Sequence, residues 1–280
     1  MDILKPIPVD MADYEHAGEG ANGMSYNHRY DPDIMLKLYN PGKVQQPLDE
    51  MLLARKVFAA GIPTPEPGDY VTDGVRYGIR FRRIRNKISY ARAVGNHPED
   101  VVRYAEEFAS MCRDLHATHV DTSVFDCVKD RYARQLEANP FFTTVEKDRL
   151  LRFIMDAPDT DTAIHGDLQF GNAIFEGDKR YFIDLGDFSY GYPLFDIGMV
   201  YCVAHISDEP FIREAFHMDK ETSIRFWEAF APAYFGTDRP LRDIEKEVRP
   251  FAGLKTIIVE RDVGCPMPAF REALKPILAP

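Results

Sequence analysis

No stretch of this 280-residue chain approaches the roughly 20 consecutive apolar residues of a membrane-spanning helix, so a membrane partner is not expected. Cysteine is scarce. Cys112, Cys127, Cys202 and Cys265 are scattered, without close pairs or metal-type spacing, and read as buried or inert thiols in a reducing compartment. The opening residues, Met1-Asp2-Ile3-Leu4-Lys5-Pro6, lack the basic-then-apolar pattern of a signal peptide, which makes a cytoplasmic protein the expectation. A basic excess is missing too. The formal charge of -11 argues against nucleic acid, whose phosphates need Lys and Arg. Internal repeats and low-complexity segments are absent.

What remains is an ordinary globular composition, 45% hydrophobic and 28% charged, long enough for one large domain or two modest ones. The charge is uneven. Residues 1–85 hold 11 basic against 12 acidic residues, which leaves 23 against 33 for residues 86–280. Such an acidic larger part could draw a cationic substrate, although plain solubility explains it as readily.

Residues 1–15, with Pro6 and Pro8, suggest an edge strand or lead-in. Gly18-Glu19-Gly20-Ala21-Asn22-Gly23 follows, a G-x-G-x-x-G run. A dinucleotide fold would open a helix at its third glycine. Here the chain continues as a strand from Met24, a turn at Asp31-Pro32-Asp33 and a second strand over Met35–Tyr39. A glycine-rich hairpin can lie close over phosphates because no side chain blocks the approach. Lys37 is the one cation inside an apolar strand, suited to reach those phosphates; the plain alternative is a strand lysine facing water. A helix is expected from about Gln45 to Phe58, closed by Gly61 and Pro63. Glu50, early in that helix, is a candidate partner for Lys37, with Asp49 and Glu15 as alternatives. Strands around a Thr72-Asp73-Gly74 turn then lead to Arg82-Arg83-Ile84-Arg85-Asn86, a solvated linker whose backbone at Arg83 and Ile84 could meet an adenine edge.

Beyond residue 86 the pattern turns helical, with runs at 98–115, 124–138, 144–156, 194–201, 218–235 and 241–262 and a short closing helix. His116 and His119 read as packed or surface histidines. Between the helices lies the densest polar stretch: His165-Gly166-Asp167-Leu168-Gln169-Phe170-Gly171-Asn172, then Tyr181-Phe182-Ile183-Asp184. Carboxylate and amide oxygens beside a tight hairpin suit a hard cation such as magnesium. A solvated turn between two strands is the plain alternative. Asp196, inside an apolar helix, should be hydrogen-bonded if buried, with the backbone of the 164–172 loop as a reasonable partner.

Together these segments resemble the aminoglycoside phosphotransferase and choline kinase family, from Gly18 to about Val203. The most specific matches are His165-Gly166-Asp167 with Asn172, Ile183-Asp184 with Asp187, and Gly191-x-Pro193-x-x-Asp196. The resemblance implies an α+β, two-lobed, protein-kinase-like fold. Its N-lobe (1–85) would be a small antiparallel sheet with one main helix binding the nucleotide. The larger, mostly helical C-lobe (86–280) would hold the catalytic loop and the acceptor. It implies ATP, with GTP left open, and Mg2+. Asp167 would be the catalytic base and Asn172 and Asp184 the metal ligands. Lys37 with Glu50, the hairpin glycines Gly18, Gly20 and Gly23, and the linker at Arg83 and Ile84 would bind nucleotide. His165, Asp187 and Asp196 would be structural support. The His-Gly-Asp form and the lack of an Ala-Pro-Glu segment point to phosphorylation of a small polar acceptor: an amino sugar, an amino alcohol or a sugar. A protein kinase and a nucleotide-binding pseudoenzyme with a regulatory role are the competing functions. Asp208 and Glu209 make an amine-bearing acceptor conceivable, and the oligomeric state is not legible.

Overall fold

A computed structural model describes residues 5–20 and 23–279. Residues 1–4 of the expected lead-in, and Ala21 and Asn22 of the expected glycine-rich hairpin, lie outside the described residues. In chain order the elements begin with β1 (Ile7–Pro8), β2 (Tyr14–Gly20), β3 (Gly23–His28), β4 (Ile34–Tyr39), α1 (Gln45–Ala59), β5 (Pro67–Thr72), β6 (Tyr77–Arg82) and β7 (Ile88–Ser89). There follow α2 (Tyr90–Asn96), α3 (Val101–His116), α4 (Val128–Ala138), α5 (Thr144–Asp156), β8 (Ala163–Ile164), β9 (Ala173–Glu176), β10 (Lys179–Phe182) and β11 (Ser189–Tyr190). The chain closes with α6 (Leu194–Tyr201), α7 (Glu209–Phe216), α8 (Lys220–Phe235), α9 (Leu241–Val263) and α10 (Pro268–Leu278). They group into two units, residues 1–88 with 174–186, and residues 89–173 with 187–280.

In the first unit six strands run in the order β1-β5-β6-β4-β3-β2. The pairs are antiparallel except that Ile7–Pro8 runs parallel to Val71–Thr72, so the expected antiparallel sheet carries one parallel edge. Pro8 is tolerated there because an edge strand need not donate on both sides. Strand β4 shows why this sequence makes a two-faced sheet. Leu36 and Leu38 are fully buried against Tyr14 and Val71, while Tyr39, of the opposite parity, packs on Met51, Tyr70 and Ile79. Lys37 shares its parity with Tyr39, and side chains two apart share a sheet face, so it lies on the Met51 side, where α1 runs. Helix α1 buries Pro47, Met51, Ala54 and Val57, a stripe at helical spacing. In the loop after α1 the Pro63 carbonyl accepts from the Phe182 N–H at 2.8 Å, which ties β10 into this unit. The segment 174–186, which chain order alone would give to the helical part, therefore belongs with the sheet.

The second unit is built on α3 and α8. Phe108 of α3 meets Phe226 and Phe230 of α8 at ring-centroid distances of 5.9 and 5.6 Å. Phe170, fully buried, reaches the same cluster at 4.7 Å from Phe226. Helices α6 and α9 approach closely because Gly198 has no Cβ; one there would fall 2.7 Å from the Phe251 carbonyl carbon. Strands β8 and β11 pair antiparallel and clamp the base of the 164–172 loop. Two helices have no counterpart in the sequence reading. Helix α2 spans seven residues with a glycine inside, and α7 only eight, both too short for a periodic signal. Among the cysteines, Cys112 and Cys202 are buried, Cys127 is half-buried and Cys265 is exposed. Among the described residues no helix is long and apolar enough to cross a membrane.

Candidate active site

Each unit contributes its own polar cluster. In the first, the Lys37 Nζ lies 2.9 Å from Glu50 Oε1 and 2.7 Å from Asp184 Oδ1. Helix α1 starts with Pro47 and Met51 inward, which turns Glu50 toward β4. The other two candidate partners are engaged elsewhere. Asp49 accepts from the Gln45 side chain at 2.7 Å, and Glu15 stands 4.0 Å from Arg29. Burial pulls the Lys37 pKa down, but the carboxylates of Asp184 and Glu50 outweigh it and hold the ammonium well above the ordinary lysine range. Asp184 sits at φ +57°, a left-handed conformation uncommon for a residue with a Cβ and frequent at functional sites.

In the hairpin, Gly20 and Gly23 face each other across β2 and β3, and Ser25 Oγ donates to the Gly18 carbonyl at 3.2 Å. At Gly23 a Cβ would lie 2.1 Å from the Leu38 carbonyl oxygen, so β3 needs glycine there to pair with β4 at all. In the linker Arg82 and Arg85 are exposed, whereas Arg83 and Ile84 are half-buried. The Arg83 N–H donates to the Asp33 carbonyl at 2.7 Å, and the Arg85 guanidinium to the Asp33 carboxylate at 2.6 Å.

The second cluster is the 164–172 loop. Leu168 and Phe170 are fully buried and anchor it, which leaves Asp167 and Gln169 half-exposed between them. The Asn172 Nδ2 donates to both the carbonyl oxygen and Oδ2 of Asp167, at 3.0 and 2.9 Å. Asp196, entirely buried, accepts from the His165 N–H at 2.7 Å and the Gly166 N–H at 2.8 Å, and is hydrogen-bonded to His116 Nε2 at 3.2 Å. Burial pushes the Asp196 pKa up; His116 and His165 overcome this and hold it below the usual carboxylate range. Gly166 has φ +89°, and a Cβ there would meet the Asp187 carbonyl oxygen at 2.3 Å. Glycine at 166 thus answers a backbone requirement first. Asp187 itself pairs with Arg131.

Three contributors escaped the sequence reading. His116, expected to be packed or on the surface, is packed against a partner, Asp196, that lies 80 residues away. Arg131 and Lys255 lie in helices whose patterns gave no polar hint, and the Lys255 Nζ donates to the Gly166 carbonyl at 3.0 Å. The acidic pair suggested for an amine is committed elsewhere. Asp208 caps α7 by accepting from the Phe211 N–H at 2.9 Å, and Glu209 accepts from the Lys220 N–H at 2.7 Å and pairs with Arg213.

Among the described residues no group of three His, Cys, Asp or Glu side chains could cage a metal ion. The donor chemistry nevertheless fits magnesium, which takes oxygen ligands and commonly needs one or two protein carboxylates beside phosphate and water. With its Nδ2 hydrogens directed to Asp167, Asn172 has its amide oxygen as the atom that would meet a cation; Asp184 would offer carboxylate oxygen in the other unit.

A mixed sheet unit carrying a lysine–glutamate pair, joined to a helical unit carrying an Asp…Asn loop, is the protein-kinase-like architecture of phosphoryl-transfer enzymes. The family model described as the phosphotransferase enzyme family matches residues 18–240, and the chain belongs to that family. No curated protein matches it in sequence. Among solved structures, aminoglycoside phosphotransferase APH(4)-Ia, as a ternary complex with AMP-PNP and hygromycin B, is 13% identical with a TM-score of 0.63, over 95% of this chain and 91% of that one. Aminoglycoside phosphotransferase APH(3'')-Id from Streptomyces rimosus is 20% identical, TM-score 0.55, over 87% and 93% of the two chains. A choline/ethanolamine kinase family protein from Mesorhizobium loti is 16% identical, TM-score 0.53, over 95% and 85%. Such identities carry the fold alone.

Proposed function

We propose that this phosphotransferase moves the γ-phosphoryl group of ATP to a hydroxyl of a small polar molecule, with the sheet unit binding nucleotide and the helical unit holding the acceptor. The observation that carries the reading is Asp167: a half-exposed carboxylate with one oxygen fixed by Asn172, on a loop whose backbone is tied down by buried groups. Such a group is oriented to take a proton without being free to turn away. As the acceptor oxygen bonds to the γ-phosphorus, Asp167 accepts its proton and the bond to the β-phosphate oxygen breaks, leaving ADP. Lys37, steadied by Glu50, balances phosphate charge, and the glycine hairpin admits the phosphates to the backbone. The linker at Arg83 and Ile84 lies in the same unit as Lys37 and is assigned to the nucleotide. Asn172 and Asp184 would hold Mg2+, which offsets the charge on the β- and γ-phosphates. His165, Asp187 and Asp196 support the loop.

The structural neighbour seen with hygromycin B supports an amino-sugar-like acceptor; amino alcohols and plain sugars belong to the same test. Cytoplasmic residence is part of the proposal. The test is ATP consumption by wild type and Asp167→Ala across amino sugars, amino alcohols and sugars. With wild type active on at least one acceptor, Asp167→Ala should lose about 10²–10⁴-fold in turnover while still showing a thermal shift with ATP and Mg2+. Near-normal turnover by the variant would sink the assignment.

A further inference from the structure

Lys255 is out of place on ordinary grounds. It lies in the middle of α9 with only 4% of its surface exposed. A buried ammonium is expensive unless charges and acceptors compensate it, and a methionine would fill the same volume with nothing to compensate. What surrounds it explains its presence. The Nζ donates to the Gly166 carbonyl at 3.0 Å and stands 5.7 Å from the centre of the Tyr132 ring. Burial alone would pull the Lys255 pKa down; Tyr132, Asp167 and Asp196 outweigh it and keep the group an ammonium. Gly166 is therefore gripped at both ends: its N–H by Asp196 at 2.8 Å, its carbonyl by Lys255. The next residue is Asp167.

We propose that Lys255 is a positioning residue for phosphoryl transfer, holding the Gly166 carbonyl and with it the direction in which the chain enters Asp167. Asp196 fixes where the loop starts; Lys255 fixes the direction in which it leaves Gly166. The proposal rests on the phosphotransferase reading above, because aim matters only if Asp167 faces an acceptor hydroxyl. Small displacements of a reacting group are enough to lower turnover strongly without altering how the nucleotide binds.

Lys255→Met removes both donor and charge, and Lys255→Gln keeps a donor without the charge. Both are assayed with ATP, Mg2+ and the best acceptor from the panel, alongside hydrogen exchange of the peptide covering residues 163–170. The expected result for Lys255→Met is a kcat lower by about tenfold to a hundredfold, a KM for ATP within about twofold of wild type, and faster exchange in that peptide. Lys255→Gln should fall between Lys255→Met and wild type, and carries the test if Lys255→Met does not fold. A kcat within about twofold of wild type for both folded variants overturns the proposal. So does a loss of activity that follows only the folded fraction, or failure of both variants to fold, either of which makes Lys255 structural. If wild type itself consumes ATP no faster than Asp167→Ala, the phosphotransferase reading is what fails, and the proposal falls with it.

Discussion

The two polar clusters spend their charges differently. Around Lys37 the side chains are reachable, with Lys37 21%, Glu50 15% and Asp184 54% exposed, and the charges face one another. Around Gly166 they are sealed in, with His116 4% and Asp196 0% exposed, and they hold backbone groups. The first arrangement leaves charge for a ligand to compete for. The second converts charge into rigidity, which suits a loop that carries the proposed base. Removing a charge should therefore cost activity with little stability in the open cluster, whereas in the sealed one it costs stability at Asp196 and the loop's aim at Lys255.

The sharpest way to break this contrast is Asp196→Ala. It strands the His165 and Gly166 N–H groups and His116, and should lower unfolding stability by about 3–5 kcal/mol, read from urea titrations. A loss under about 1 kcal/mol would mean that the sealed cluster does not hold the loop. In the open cluster, Lys37→Met should reduce ATP turnover about 100-fold, equivalent to about 2.7 kcal/mol of barrier, yet change stability by only about 1 kcal/mol. A collapse of both together would erase the distinction.

His205 tests an intermediate case. It stacks on Tyr201 with ring centroids 4.5 Å apart and lies 3.8 Å from Glu245. Burial and the nearby Lys220 charge pull its pKa down to about 4. The folded state thus keeps His205 neutral where the unfolded chain would protonate it. Its contribution is complete above the ordinary histidine pKa of about 6.5 and is lost as pH falls from there toward about 4, on the order of 3 kcal/mol at most. In urea titrations at both ends of that window, His205→Phe should flatten the decline. An unchanged slope would assign the acid sensitivity elsewhere.

What the sequence showed follows the same divide. Spacing marked the glycine hairpin, Lys37, the Asp167…Asn172 loop and Asp184, because reachable groups come as compact motifs on strands and turns. For Lys37 it put Glu50 first, with Asp49 and Glu15 as alternatives, and it missed the second partner, Asp184, because that contact joins residues 147 positions apart. Around Gly166, His165, Asp187 and Asp196 were legible, but not the residues that pair with them. His116, Arg131 and Lys255 each sit alone in helices whose periodic pattern describes packing, and their partners lie 80, 56 and 89 residues away in the chain. Short helices such as α2 and α7 escaped for want of length, and the parallel pairing of β1 has no local signal at all.

The thread from β9 to Gly186 has a further consequence, in the order of synthesis. Lys37 and Glu50 emerge early, but Asp184 follows Lys37 by 147 residues. A fragment ending at Ile88 would hold the six-stranded sheet and one of the lysine's two carboxylates, but not the other. The nascent sheet unit therefore stays incomplete until most of the helical unit's loop has left the ribosome, and neither unit can be excised as one continuous piece of chain.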